Sequence, residues 1–203
     1  MKINYENDKI KQLHKEILRK AFHVTIGLLL LIFYLIFGRY LSITLYTLLL
    51  GVAIISDLIR IRIYIQFPLK KLAETLARSY EKTYVGAHTY SIAGFLISSI
   101  LFQPIIFIVS SLTVTIIDPI MSVCGLLIPK PRIPYNRSKS LVGSIIGSAV
   151  MLAMSFQIMN LIFALFLSAI IFILDSLPIE INDNILYPVI VGLYISVVNG
   201  NFI

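Results

Sequence analysis

Two stretches, 28–37 and 161–174, run apolar with only a tyrosine and a serine to interrupt them. A soluble amphipathic helix keeps a polar face, and a membrane-spanning β-strand alternates apolar with polar residues. Neither pattern is present. In hydrocarbon every backbone N–H and C=O must be satisfied within the segment, so an all-round apolar run of this kind is a helix. The rest of the chain agrees: 58% of its 203 residues are hydrophobic and 13% charged, against about 45–50% and about 25% in a soluble domain. The expectation is an all-α, polytopic transmembrane helical bundle forming one integral membrane domain over 1–203. One cysteine rules out an intrachain disulfide.

Windows of about 19 residues pick out seven spans, at 21–37, 41–57, 86–102, 104–127, 141–157, 160–175 and 183–199. Turn signals separate them, among them Gly38-Arg39, Gln103-Pro104 and Asn160. Gln103-Pro104 is the ambiguous boundary, because it reads equally as a kink inside one long helix. Four polar segments join or precede the spans: 1–20, 58–85, 128–140 and 175–184. Lysine and arginine resist translocation, and sixteen of the seventeen fall in the first three of these segments, leaving Arg39 alone on the other side. The N-terminus is therefore expected in the cytoplasm and the C-terminus outside. All ten acids map to the cytoplasmic half as well, so chemistry is expected at that face. The first 20 residues are too polar for the start of a cleaved signal peptide, which is not expected. Within 58–85, Leu69, Leu72, Ala73, Leu76 and Tyr80 follow helical spacing with basic residues opposite, the pattern of a helix lying on the membrane surface.

Five groups of residues could carry chemistry. Glu16, Arg19, Lys20 and His23 share one helical stripe where the chain meets the membrane; the bland alternative is a Glu16–Lys20 pair and an interfacial histidine. Asp118 lies inside the fourth span, where a charge costs about 2.5 kcal/mol or more, and Ser111, Thr115 and Ser122 extend its stripe. Segment 128–140 carries Lys130, Arg132, Arg137 and Lys139 and leads into a helix at Ser140; phosphates could meet Lys139 and the free N–H groups of that helix start, although a loop obeying the positive-inside rule looks the same. Just beyond, Gly143-x-x-x-Gly147 and Ser144-x-x-x-Ser148 fit close helix packing better than binding. Asp175, Glu180, Asp183 and Asn184 form an acidic loop without a basic residue, an oxygen set that suits Mg²⁺. Asp57 and Arg60 read as an i,i+3 pair. No P-loop, kinase glycine loop, H-E-x-x-H or C-x-x-C occurs.

Six strings in order, E-x-x-R-K-x-x-H at 16–23, D-x-x-R at 57–60, E-x-x-Y-x-G at 81–86, the 118–125 segment, K-S-x-x-G-S at 139–144 and N-D-N at 182–184, together resemble the polyprenol kinase family. That family includes dolichol kinase, phytol kinase and the fungal CTP-dependent diacylglycerol kinase. The resemblance covers nearly the whole chain. Pro119 stands where the family tends to have alanine, Val142 where it often has glutamate, and Asn182 where it has aspartate.

What the resemblance implies is transfer of the terminal phosphate of CTP to a lipid alcohol, with a divalent cation. The expected substrate is a long-chain isoprenoid alcohol, dolichol-like or polyprenol-like. Lys139, Ser140, Gly143, Ser144, Arg132, Arg137, Arg19 and Lys20 are the expected nucleotide contacts. Asp183, Asp175 and Asn184 would hold Mg²⁺. Asp118 is the expected base, with His23 and Glu16 as the other catalytic candidates, and Asp57, Arg60 and Glu81 complete the motif set. Other readings are a kinase of phytol, geranylgeraniol or diacylglycerol, a cytidylyltransferase making a CDP-diacylglycerol or CDP-archaeol type of lipid, and a non-enzymatic transporter. The expected location is the plasma membrane of a prokaryote or an ER-type membrane of a eukaryote. No nucleic-acid partner is expected, and the sequence leaves oligomeric state open.

Overall fold

The computed structural model describes residues 2–63, 84–128 and 130–200, with side chains from Leu13 onward and that of Ile63 excepted. The surface helix expected in 69–80, and Glu81, lie outside the described residues. The first helix, α1 (Lys2–Ile63), is two arms joined at Gly38, whose φ of 76° and ψ of 180° interrupt the helix. A side chain resists that positive φ, and glycine does not. Tyr46 donates from Oη to the Leu30 carbonyl at 2.7 Å. Sixteen residues of straight helix would hold those groups about 24 Å apart, so the arms fold back on each other around Gly38.

Next come α2 (Ala87–Leu101) and α3 (Pro104–Leu112), divided at Gln103. Pro104 sits at the start of α3, where its missing N–H costs nothing, and the chain breaks here instead of kinking. At the same end of the bundle Arg39 donates to the Ile100 carbonyl, placing a cation on the negative end of α2. A π-helical turn (Thr113–Ile117) runs from α3 into α4 (Asp118–Leu127). A short antiparallel hairpin, β1 (Arg132–Ile133) and β2 (Asn136–Ser140), pairs Arg132 with Ser140 and Ile133 with Asn136. The last helices are α5 (Leu141–Ser155), α6 (Leu161–Ser176) and α7 (Asp183–Asn199).

The core is aromatic on one side and small-residue on the other. Tyr34, Tyr46, Phe95 and Phe107 stack from both arms of α1, α2 and α3, with ring centroids 4.3 to 6.4 Å apart. On the opposite side α5 approaches α4 closely at Gly143 and Gly147, where an added Cβ would meet the Met121 carbonyl at 2.4 Å and the Met121 side chain at 2.2 Å. These two glycines serve helix packing, as their spacing suggests. Outside this core the arms of α1 and helix α6 expose large apolar side chains, including Leu35, Ile36, Leu48, Val52, Ile162 and Phe166. Two helical stretches, Leu13–Arg62 and Pro104–Leu127, are long and apolar enough to cross a membrane.

The close approach at Gly143 generates a test. Gly143→Ala must push the α4 backbone and should cost about 1–3 kcal/mol, seen as a lower thermal midpoint in one fixed detergent. Gly51→Ala, where a Cβ meets nothing within 4 Å, should be neutral or stabilising by up to about 1 kcal/mol, since alanine is the better helix former.

Candidate functional site

One end of the bundle gathers the N-terminal arm of α1, α4 from its first residue, the hairpin as it leads into α5, the end of α6 and the start of α7 around a cleft of about 410 Å³. This volume lies within the range of small-molecule sites. Its charged lining is Glu16, Asp118, Asp175 and Asp183 against Arg132 and Lys139, and Met121 and Leu126 give it an apolar wall.

Asp118 opens α4 and is 7% exposed. Lys20 reaches it across the bundle, with Nζ 2.5 Å from Oδ2 and both side chains 9% exposed. In place of the Glu16–Lys20 pair that was the bland alternative, Glu16 takes Arg19, one turn along α1, and Lys20 takes the buried acid. A lysine stem can lie along apolar surface and deliver its ammonium to such a place.

Lys139, on β2, sits between two carboxylates, with Nζ 2.6 Å from Asp175 Oδ1 and 2.8 Å from Asp183 Oδ2. Burial opposes its charge, but Asp183 and Asp175 outweigh burial and hold the ammonium above the ordinary lysine value. The two acids differ in kind. Asp175 is 3% exposed and also accepts from Ser144 Oγ at 2.5 Å and from Tyr187 Oη at 2.9 Å. Three donors fix it. The Asp183 side chain is 32% exposed and is the acid a solute reaches more readily.

The hairpin that carries Lys139 is itself tied down. Tyr135 donates to Ser176 Oγ and Asn136 to the Leu177 carbonyl, both at 3.2 Å, which pins the hairpin to the end of α6. Arg132 donates across the hairpin to the Ser138 carbonyl at 3.0 Å. Arg137 is exposed on β2. Ser140 lines the cleft, but its hydroxyl donates to the Ile128 carbonyl at 2.8 Å, and the Leu141 N–H goes to the Pro131 carbonyl at 3.0 Å. Part of the α5 N-terminus is thus satisfied within the protein.

Other residues singled out in the sequence stand elsewhere. His23 Nε2 donates to the Val114 carbonyl at 3.0 Å, in the packing between α1 and the π-turn. Asn184 is buried against α2, donating to the Ala87 carbonyl at 3.2 Å. Asp57 pairs with Arg60 at 2.5 Å and also accepts from the Gly86 N–H at 2.9 Å and from Thr89 Oγ1 at 2.7 Å, so it caps the start of α2 from another helix. Sequence reasoning missed Tyr187 and the hairpin. Tyr187 follows Asp183 by one helical turn, which was the available signal.

Among the described residues no three His, Cys, Asp or Glu side chains gather as a metal cage. The donor set still suits Mg²⁺, which commonly takes one or two carboxylates and completes its shell with phosphate and water. Four carboxylates line the cleft against two cationic side chains, so a polyphosphate would need a cation to accompany it. No protein family, curated protein or solved structure matches the chain.

Removing Lys139 leaves Asp175 and Asp183 facing each other uncompensated. Lys139→Met should destabilise by about 1–3 kcal/mol, less than a fully buried pair because Nζ is partly solvated, and Lys139→Arg should cost less. Because the folded protein holds this ammonium more tightly than the unfolded chain, its contribution is complete below the ordinary lysine value of about 10.4 and is lost only as pH rises through the higher folded value. The difference in melting temperature between wild type and Lys139→Met should therefore not shrink from pH 7 to 9. A difference that shrinks across that window refutes the assignment.

Proposed function

We propose that the chain is a CTP-dependent lipid kinase that transfers the terminal phosphate of CTP to a long-chain isoprenoid alcohol at the cytoplasmic face of a membrane. The observation that carries this reading is convergence: Glu16, Asp118, Lys139 with Ser140, and Asp175 with Asp183 come from four distant segments of the chain and line one cleft. The two arms of α1, then α2, α3 joined with α4, α5, α6 and α7, are read as seven spans with the N-terminus in the cytoplasm. Support comes from the exposed apolar faces of α1 and α6 and from the division of basic residues.

Phosphoryl transfer asks a protein for positioning and charge neutralisation more than for covalent chemistry. Lys139 and Arg132, both lining the cleft, hold the phosphates, with Arg137 beside them on the hairpin. Asp183 and Asp175 would hold Mg²⁺, which when bound neutralises phosphate charge. Lys20 holds Oδ2 of Asp118 and so fixes the carboxylate, which orients the lipid hydroxyl and takes its proton as the alcohol oxygen bonds to the γ-phosphorus and CDP leaves. Met121 and Leu126 offer the apolar wall along which the lipid chain runs back between α1 and α4.

CTP labelled separately at the α and γ phosphates distinguishes the reaction classes. With purified protein, Mg²⁺ and polyprenol, the γ label should enter the lipid and CDP should accumulate. Entry of the α label with release of pyrophosphate would replace this reading with a cytidylyltransferase, and transfer to no lipid would favour a transporter. Asp118→Asn should lower turnover by about 10²-fold or more, whereas Lys139→Ala should weaken CTP by about 10–100-fold and leave lipid affinity nearly unchanged.

Topology is tested separately. In a Cys124→Ser background, a cysteine at Asn136 should react with an impermeant thiol reagent from the cytoplasmic side alone, and one at Gln157 from the outside alone. External labelling at Asn136 would refute the orientation.

A further inference from the structure

The π-turn ahead of Asp118 leaves one backbone group without a helical partner. The Asp118 N–H bonds to the Thr113 carbonyl, five residues back. The Val114 carbonyl therefore loses its α-helical donor, and its π-helical donor would be the N–H of residue 119. Residue 119 is proline, which has none. An orphan carbonyl inside an apolar bundle is costly, and such groups are rescued by side chains from neighbouring helices. His23 supplies that rescue from α1, with Nε2 3.0 Å from the Val114 oxygen. A carbonyl only accepts, so Nε2 carries the hydrogen.

The contact belongs to a register of three. Lys20 meets Asp118, His23 meets Val114 one turn along, and at Gly27 an added Cβ would strike Thr115 Oγ1 at 2.6 Å. One face of α1 thus grips the π-turn at its side chain, its carbonyl and its surface. π-turns of this kind recur at functional sites, and here the turn sets where the Asp118 carboxylate points.

We infer that His23 is a positioning residue: its Nε2–H replaces the N–H that Pro119 lacks, and so holds the π-turn that aims Asp118 into the cleft. This gives His23 a role other than base in the cleft: Nε2 is engaged as a donor, and the remaining nitrogen, Nδ1, faces Ser91 Oγ on α2 at 3.5 Å. The catalytic consequence rests on the kinase reading, but the pairing of His23 with the defect at Pro119 does not.

The pairing is tested without nucleotide by a double-mutant cycle of melting temperatures in one detergent. His23→Leu should lower the apparent melting temperature by about 2–4 °C, the scale for losing one such bond in a chain of this size. In a Pro119→Ala background, where an N–H is restored, the same substitution should cost less than half as much. His23→Gln, whose amide still donates, should melt close to wild type. Equal losses in the two backgrounds, or a Gln variant melting like the Leu variant, would overturn the assignment. In the γ-label assay His23→Leu should lose about 10–100-fold in kcat, the scale of a small misplacement, with KM for CTP within about 2-fold, and His23→Gln should recover most of the rate. A Gln variant as slow as the Leu variant would make His23 a base and overturn positioning. Absence of phosphate transfer by the wild-type chain would sink the kinase reading alone, while the melting cycle still decides the inference.

Discussion

A carboxylate packed among apolar helices has to be neutralised, and the pairing of Asp118 with Lys20 organises much of what surrounds it. The pair joins residues 98 positions apart, and it binds the N-terminal arm of α1 to the start of α4. Removing one partner of a buried pair strands the other charge, so the two helices are held in register as well as in contact. The cleft wall contains both Glu16 and Asp118 because that register brings them to the same end. His23 and Gly27 continue the same seam, and the winding of the π-turn is accommodated along it.

A second neutralisation, of Lys139 by Asp175 and Asp183, ties the hairpin to α6 and α7. The cleft is thus bounded by two lysine-centred clusters that differ in accessibility. The first is nearly buried and fixes a carboxylate that lines the cleft. The second is partly open, its Lys139 and Asp183 side chains being 29% and 32% exposed. Tyr187 and Ser144 fix Asp175, and Asp183 is the acid more open to solvent.

The helices were legible because hydrophobic length is a strong local signal. The runs at 141–157, 160–175 and 183–199 correspond to Leu141–Ser155, Leu161–Ser176 and Asp183–Asn199 within two residues at each end, and Gly38 and Gln103 break the chain where turn chemistry says they should. The site was legible as a set of residue types and much less as a set of partners. Lys20 and Arg19 both lie within reach of Glu16, and only the fold puts a buried acid in front of one of them. The hairpin carries two-residue and five-residue strands in a proline-rich basic segment, too short for alternation to register. The π-turn has no periodicity of its own. Pro119 marks it, but a proline after an aspartate reads equally well as an ordinary helix start.

Asp57 closes a different kind of boundary. From a place six residues before the end of α1, its carboxylate accepts from Gly86 and Thr89, so positions 57 and 86 are held together by one side chain. The bonds at those two anchors hold α1 against α2 across the chain that separates them. The fold therefore has two junctions of different kinds: one where a single carboxylate joins the end of α1 to the start of α2, and a cleft end whose register is fixed by buried charge pairs.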